Sequence, residues 1–229
     1  MIKELIGYLS QFTTENRYSL FQEVLNKRTR YMTVVLENIY QPHNASAVLR
    51  SCDCFGVQNV HVIENDNEYQ INPDVALGSA QWLTLKRHKE LENNTLSAIS
   101  KLKDEGYRIV ATTPHNNDVN LDDFDISKGK FALMFGSERP GLSDIAMDAA
   151  DEFLKIPMFG FTESFNISVS AAIILNRLRS KINDSDIPWQ LTDAEADVIM
   201  LDWLRGSIKK SKLIERKFMD LHKYNAIKK

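Results

Sequence analysis

Three short stretches of this chain carry polar residues of kinds and spacings that can handle a ligand. The first runs Asn38-Ile39-Tyr40-Gln41-Pro42-His43-Asn44 and leads into a helix-like segment that carries Arg50. With 45–55 helical, Ser46, Arg50 and Asp53 share one face. There the Arg50 guanidinium either reaches a phosphate or a ribose hydroxyl, or pairs with Asp53 on a solvated surface. The second, Gly136-Ser137-Glu138-Arg139-Pro140-Gly141-Leu142-Ser143, is spaced like a phosphate loop. Leu142 stands where the lysine must be, so the β/γ-phosphate contact of an NTPase is missing. The third is LKIPMFGFTESFNISVSAAIILNRL, residues 154–178. An apolar run stops at Pro157, and a loop with Gly160, Thr162, Glu163, Ser164 and Asn166 follows. An apolar helix then begins near Ile167, and Ser168, Ser170, Ala171 and Ala172 permit close approach to it. Such an edge suits a ligand, and it equally suits a plain strand-to-helix connection.

Other chemistries are excluded by what is missing. The first strand-to-helix turn has no G-x-G-x-x-G, and no H-E-x-x-H, G-x-S-x-G or clustered metal set appears. Cys52 and Cys54 are the only cysteines and lack a second pair to complete a zinc site, so they read as small core or boundary residues. His43 and His61 read as structural. No metal is expected.

The elements that must position these stretches alternate. Short helices fill 2–28, strands read at 31–37, 59–64, 82–87, 107–113, 130–136 and 152–157, and helices fall at 45–55, 91–105, 144–150 and 167–182. The stretch 115–130 reads as a polar loop. Strands apolar on both faces and alternating with helices predict an α/β fold, with a mostly parallel sheet and helices on both faces. Parallel sheets bind ligands at the carboxyl ends of their strands, where all three polar stretches fall. Three segments result: an N-terminal helical extension at 1–30, a core at 31–182, and a basic helical extension at 183–229.

Charge separates the last segment from the rest. The chain of 229 residues has a net charge of −3, yet residues 201–229 hold nine Lys or Arg against three acids. A basic arm on an acidic body suits a polyanion such as RNA, although a solvated helix face has the same composition. The N-terminus is too polar for a secretory leader and no apolar run is long enough to span a bilayer, so a cytoplasmic protein without membrane partners is expected.

Together the three stretches resemble the SpoU/TrmH family of the SPOUT superfamily, the RNA ribose 2′-O-methyltransferases. The resemblance rests on Asn44 with Arg50 six positions on, on Gly136-Ser137-Glu138 after an apolar strand, and on Ile156-Pro157-Met158, Gly160, Ser164, Asn166 and Ser168. It covers about residues 31–180, and the short flanking helices look like the tRNA-modifying branch. It implies a deep trefoil knot, a homodimer and S-adenosylmethionine as cofactor, with Thr112, Gly136, Ile156 and Phe165 lining the cofactor pocket. Phe165 replaces the family's usual leucine. It further implies a catalytic group of Arg50, Asn44, Glu138, Ser164 and Asn166. Arginine stays protonated in proteins, so Arg50 is expected to bind the hydroxyl and a neighbouring phosphate and to stabilise the forming alkoxide. The expected substrate is a tRNA D-loop guanosine. The rivals are a ribosomal RNA site and a catalytically silent RNA-binding protein.

Overall fold

The apolar, β-branched runs form strands that are buried on both faces. The computed structural model describes residues 1–70, 72, 78–114, 119–137 and 140–227, of which 222–227 by backbone alone. Its strands are β1 (Met32–Glu37), β2 (Asn59–Ile63), β3 (Thr84–His88), β4 (Arg108–Thr112), β5 (Val119–Asn120), β6 (Phe131–Phe135) and β7 (Glu152–Lys155). They make one sheet in the order β3-β2-β1-β6-β4-β7-β5, and every pairing among them is parallel. A parallel sheet needs cover on both sides, and the alternation of side chains supplies two cores.

One core packs Met32, Val34 and Leu36 of β1 and Leu133 and Phe135 of β6 with two helices, α3 (Pro42–Cys54) and α6 (Ile167–Asn183). The other packs Val35, Ile109, Ala132 and Met134 with α4 (Thr95–Asp104) and α5 (Asp144–Ala149). Fully buried Val48 and Leu49 of α3 and Ala171, Leu175 and Leu178 of α6 are the apolar stripes that hold those helices down.

Several boundaries differ from the sequence expectation. Helix α3 begins at Pro42 rather than near Ala45, because a proline in the first turn has no N–H to leave unpaired and a preset φ. Helix α4 begins at Thr95 rather than at 91, since the Asn94 side chain is spent on the carbonyls of Glu64 and Leu91. The stretch read as a polar loop contains β5, two residues that pair with the edge of β7.

The termini form their own unit. Residues Met1–Arg28 and Gln190–Lys229 cluster together, and Thr29–Trp189 form the sheet unit. In the terminal unit are α1 (Ile2–Ser10), α2 (Glu15–Leu25), α7 (Asp193–Ser207) and α8 (Ser211–Ile227). The expected first and last extensions are thus partners: Phe21 meets Trp203 edge-on at 5.6 Å, and the Arg28 guanidinium lies 5.4 Å from the same ring. Thr192 starts α7 with a capping box to Glu195. Among the described residues no helix is long and apolar enough to cross a membrane.

The sheet unit also carries a buried titratable pair. His61 Nδ1 lies 3.1 Å from His88 Nε2, with the rings stacked. Burial, then the charges of Lys86 and His88, push His61 down to about 3. An unfolded histidine titrates near pH 6.5, so in between the unfolded chain binds a proton that the native chain refuses. Stability should be complete above about pH 6.5 and fall as the pH drops toward 3. Urea midpoints at pH 7.5 and 5.0 should show the loss, and His61→Gln should reduce the difference. Equal differences in the two proteins would reject the assignment.

Candidate active site

Strands β6, β4 and β7 are neighbours and parallel, so their carboxyl ends lie along one edge. A cavity of about 520 Å³ opens there. Its floor is apolar, from Phe135, Leu154, Ile167 and Ile174, and Ser137, Asp144 and Glu163 add polar groups to its lining. All four residues expected at a cofactor, Thr112, Gly136, Ile156 and Phe165, border it, and so does Ser164. Thr112 is fixed at the end of β4, where its hydroxyl donates to the Met134 carbonyl at 2.8 Å. This leaves mainly its backbone to face a ligand.

Gly136 explains the cavity's shape. A Cβ at this position would stand 2.1 Å from the Gly141 carbonyl carbon and 2.2 Å from the Leu142 nitrogen. The chain at 141–142 therefore passes directly over residue 136, a closeness only glycine allows. Gly141 has φ +99°, a region L side chains avoid.

The return of this loop is clamped by a residue that the sequence reading passed over. Glu37 ends β1, one step beyond the Leu36–Phe135 pairing, and is buried. Its carboxylate accepts the Ser143 N–H at 2.8 Å, the Ser143 hydroxyl at 2.7 Å and the Thr95 hydroxyl at 2.6 Å. Ser143 in turn caps α5 through the Ala146 N–H. The available signal was a single carboxylate closing an otherwise apolar strand, since a buried charge must find donors.

The expected catalytic group divides. Asn166 is the N-cap of α6, its oxygen accepting the Ser168 N–H at 2.8 Å, while its amide donates to Asn44 at 3.2 Å. Asn44, buried in the first turn of α3, donates to Gln41. The asparagine pair thus ties together the starts of the two helices. Arg50 is exposed further along α3; it does not line the cavity, and among the described residues its guanidinium makes no hydrogen bond or ion pair. The alternative pairing with Asp53 is not formed. Ser46, expected to share the exposed face of Arg50, is instead fully buried, donating to the Pro42 carbonyl at 2.7 Å and accepting the Asn72 N–H at 2.8 Å. Those two bonds satisfy its hydroxyl away from water. Glu138 lies outside the described residues. Among those described, no group of three or more His, Cys, Asp or Glu could hold a metal ion.

The model of the SpoU rRNA Methylase family matches residues 31–176, the stretch that holds the sheet, the cavity and the asparagine pair. The chain belongs to the SpoU methylase family. It is, with that family, a methyltransferase. Among this SpoU protein's relatives, a tRNA (guanosine(18)-2'-O)-methyltransferase of Borreliella burgdorferi is 43% identical over 92% of this chain and 94% of its own. The enzyme of that name from Thermus thermophilus is 36% identical over 84% of this chain and 97% of its own. Among solved structures, the A. aeolicus TrmH/SpoU tRNA modifying enzyme superposes with a TM-score of 0.75 at 28% identity, covering 86% of this chain and 98% of that one.

S-adenosylmethionine suits what this SpoU cavity offers. The volume lies within the roughly 300–1,000 Å³ of small-molecule pockets. The apolar floor matches an adenine, and the carboxylate of Asp144 matches the cationic end. Two substitutions test the construction. Gly136→Ala should weaken cofactor binding by about tenfold or more in calorimetry, because the added carbon forces the 141–142 chain outward. Glu37→Ala should lower unfolding stability by about 2–4 kcal/mol, since it leaves Ser143 and Thr95 donors unpaired. An unchanged urea midpoint would show that the clamp holds nothing.

Proposed function

We propose that this chain transfers the methyl group of S-adenosylmethionine to the ribose 2′-hydroxyl of a guanosine in tRNA. The observation that carries this reading is the match to tRNA guanosine methyltransferases along nearly the whole chain, 43% identical over 92% of it. The cofactor supplies a methyl already activated on a sulfonium, so the protein's task is to align an oxygen and to stabilise the charge it develops.

Thr112, Gly136, Ile156 and Phe165 would hold the cofactor, mainly through backbone and apolar contact. Arg50 would bind the acceptor hydroxyl and the neighbouring phosphate, a task for which an exposed guanidinium without an internal partner is ready. The phosphate would take the proton. Asn44, Ser164 and Asn166 would hold the loop in position, and Glu138 belongs to the same group by its place in the second motif. Since Arg50 lies outside the lining of the cavity, we infer a homodimer in which both copies contribute to each site. The close crossing at Gly136 and the cavity-lining 156–165 segment agree with a chain drawn into a deep trefoil knot. Action on tRNA implies a cytoplasmic location.

Labelled methyl transfer to unmodified total RNA, followed by mapping of the product, tests the reading. The label is expected on the 2′-oxygen of a tRNA guanosine, and label confined to ribosomal RNA would overturn the substrate. Arg50→Ala should lower the transfer rate by about 100- to 1,000-fold, as loss of one oxyanion donor does elsewhere. Cofactor affinity should stay within about threefold. Near-normal transfer by Arg50→Ala would remove its role.

A further inference from the structure

A second cavity of about 590 Å³ lies against the first and shares Pro114, Ile156, Met158 and Glu163 with it. Asn120, Lys155 and Thr162 add polar groups to its lining, and Gly160 completes one wall. The two residues that flank Gly160 are unusual. Phe159 and Phe161 are 97% and 108% exposed, so neither ring has found cover in the fold. Elsewhere in this unit phenylalanines such as Phe124, Phe131 and Phe135 are almost completely buried. A fully solvated aromatic pair forgoes a large hydrophobic gain unless a ligand or a second copy of the chain covers it.

We propose that this second cavity receives the base of the acceptor nucleotide, with the Glu163 carboxylate in its lining as the group that selects guanine and with Phe159 and Phe161, which flank Gly160 outside that lining, as the rings that close over the base. The proposal rests on the methyl-transfer reading above. A methyl donor and the accepting 2′-oxygen must come within about 3–3.5 Å, so the base on the same ribose must lie in the space next to the cofactor. The second cavity is such a space, divided from the first only by residues common to both.

The chemistry of the lining fits an unstacked base. Proteins that read single nucleotides in RNA stack them on aromatic rings and bond to their Watson–Crick edges. Glu163 is exposed in the shared wall, and among the described residues its carboxylate makes no hydrogen bond or ion pair. An ionised carboxylate only accepts, through two oxygens side by side. Guanine alone presents two adjacent donors, N1–H and the N2 amino group. Adenine and cytosine each place an acceptor beside their amino group, and uracil has a single donor between two carbonyls. Lys155 places positive charge at the same cavity, where the phosphate attached to that nucleotide needs it.

The test uses the full-length chain, S-adenosylmethionine, and tRNA transcripts that carry either guanosine or inosine at the mapped acceptor position. Inosine lacks only the N2 amino group. The unaltered protein should prefer guanosine, and Glu163→Gln should lower kcat/KM for guanosine by about 10- to 100-fold, in line with loss of a bidentate contact. The preference over inosine should shrink in the same variant, with cofactor affinity within about threefold. Phe161→Ala and Phe159→Ala should raise KM for tRNA by about 5- to 50-fold, and Phe161→Tyr should restore it. An unchanged guanosine-to-inosine ratio in Glu163→Gln overturns the base pocket alone. So does a fall in cofactor affinity as large as the fall in transfer. Dissociation of the alanine variants in light scattering assigns the phenylalanines to contact between copies and also overturns it. Absence of methyl transfer by the unaltered chain overturns the pocket and the function together.

Discussion

The site depends on one steric fact, the passage of the 141–142 backbone across Gly136 with no room for even a methyl group. Everything at that edge is arranged to make this approach hold. Gly141 takes a left-handed turn that a side chain would oppose. Ser143, two residues later, is locked to the Glu37 carboxylate by both its N–H and its hydroxyl. The end of β1 thereby fixes a loop that belongs to β6, and the parallel pairing of those two strands keeps the distance constant. Burying a carboxylate is unfavourable unless donors surround it. Here three donors do, two from the loop itself and one from the first turn of α4. The charge therefore also fixes the place at which the loop returns to the sheet, at Ser143.

A second feature is which charged groups the fold leaves without a partner. Among the described residues of the sheet unit, Arg87 is held by Glu64, Arg108 by Glu152 and Arg177 by Asp122. Arg50 and Glu163 are instead left exposed without such partners. On the reading proposed above, no internal salt bridge would have to break before either met a nucleotide, which would lower the barrier to binding at some loss of native-state order. The asparagines behave in the opposite way. Asn44 and Asn166 are engaged with each other and with helix ends, which makes them parts of the scaffold that fixes the α3 and α6 starts.

The sheet was legible because its strands must be apolar on both faces. The runs around Val34–Leu36 and Leu133–Phe135 could hardly be anything else once helical segments alternate with them. Strand β5 was hidden for the converse reason: Val119 and Asn120 sit in a polar stretch and pair only along an edge, with no periodicity to announce them. Of the residues expected at a cofactor, Gly136, Ile156 and Phe165 came from motifs matched in order and Thr112 from the resemblance alone, which is information about relatives rather than about physics. What the motifs omitted was the mechanical support. Glu37 looks like a strand end in the sequence, and only its burial reveals a clamp. Ser46 looked like a neighbour of Arg50 on an open face, because helical spacing cannot say what packs over a face. That Phe159 and Phe161 face water was equally invisible, since composition assigns aromatic residues to cores by default.

The uneven charge along the chain becomes more informative once the units are known. Along α7, α8 and the turn between them, Arg205 is spent on Glu215 and Asp202, whereas Lys209, Lys210, Lys212, Arg216 and Lys217 stay exposed. Such a surface attracts any phosphate chain and reads no base, because phosphate contacts orient a nucleic acid without specifying its sequence. The sheet unit carries the opposite equipment, few free cations but cavities, rings and a free carboxylate. A carboxylate repels the backbone of RNA and is tolerable near it only where it meets a base edge rich in donors. Affinity and choice of nucleotide would then reside in different units of one chain. Salt, which weakens the first kind of contact through counterion release, would leave the second nearly untouched.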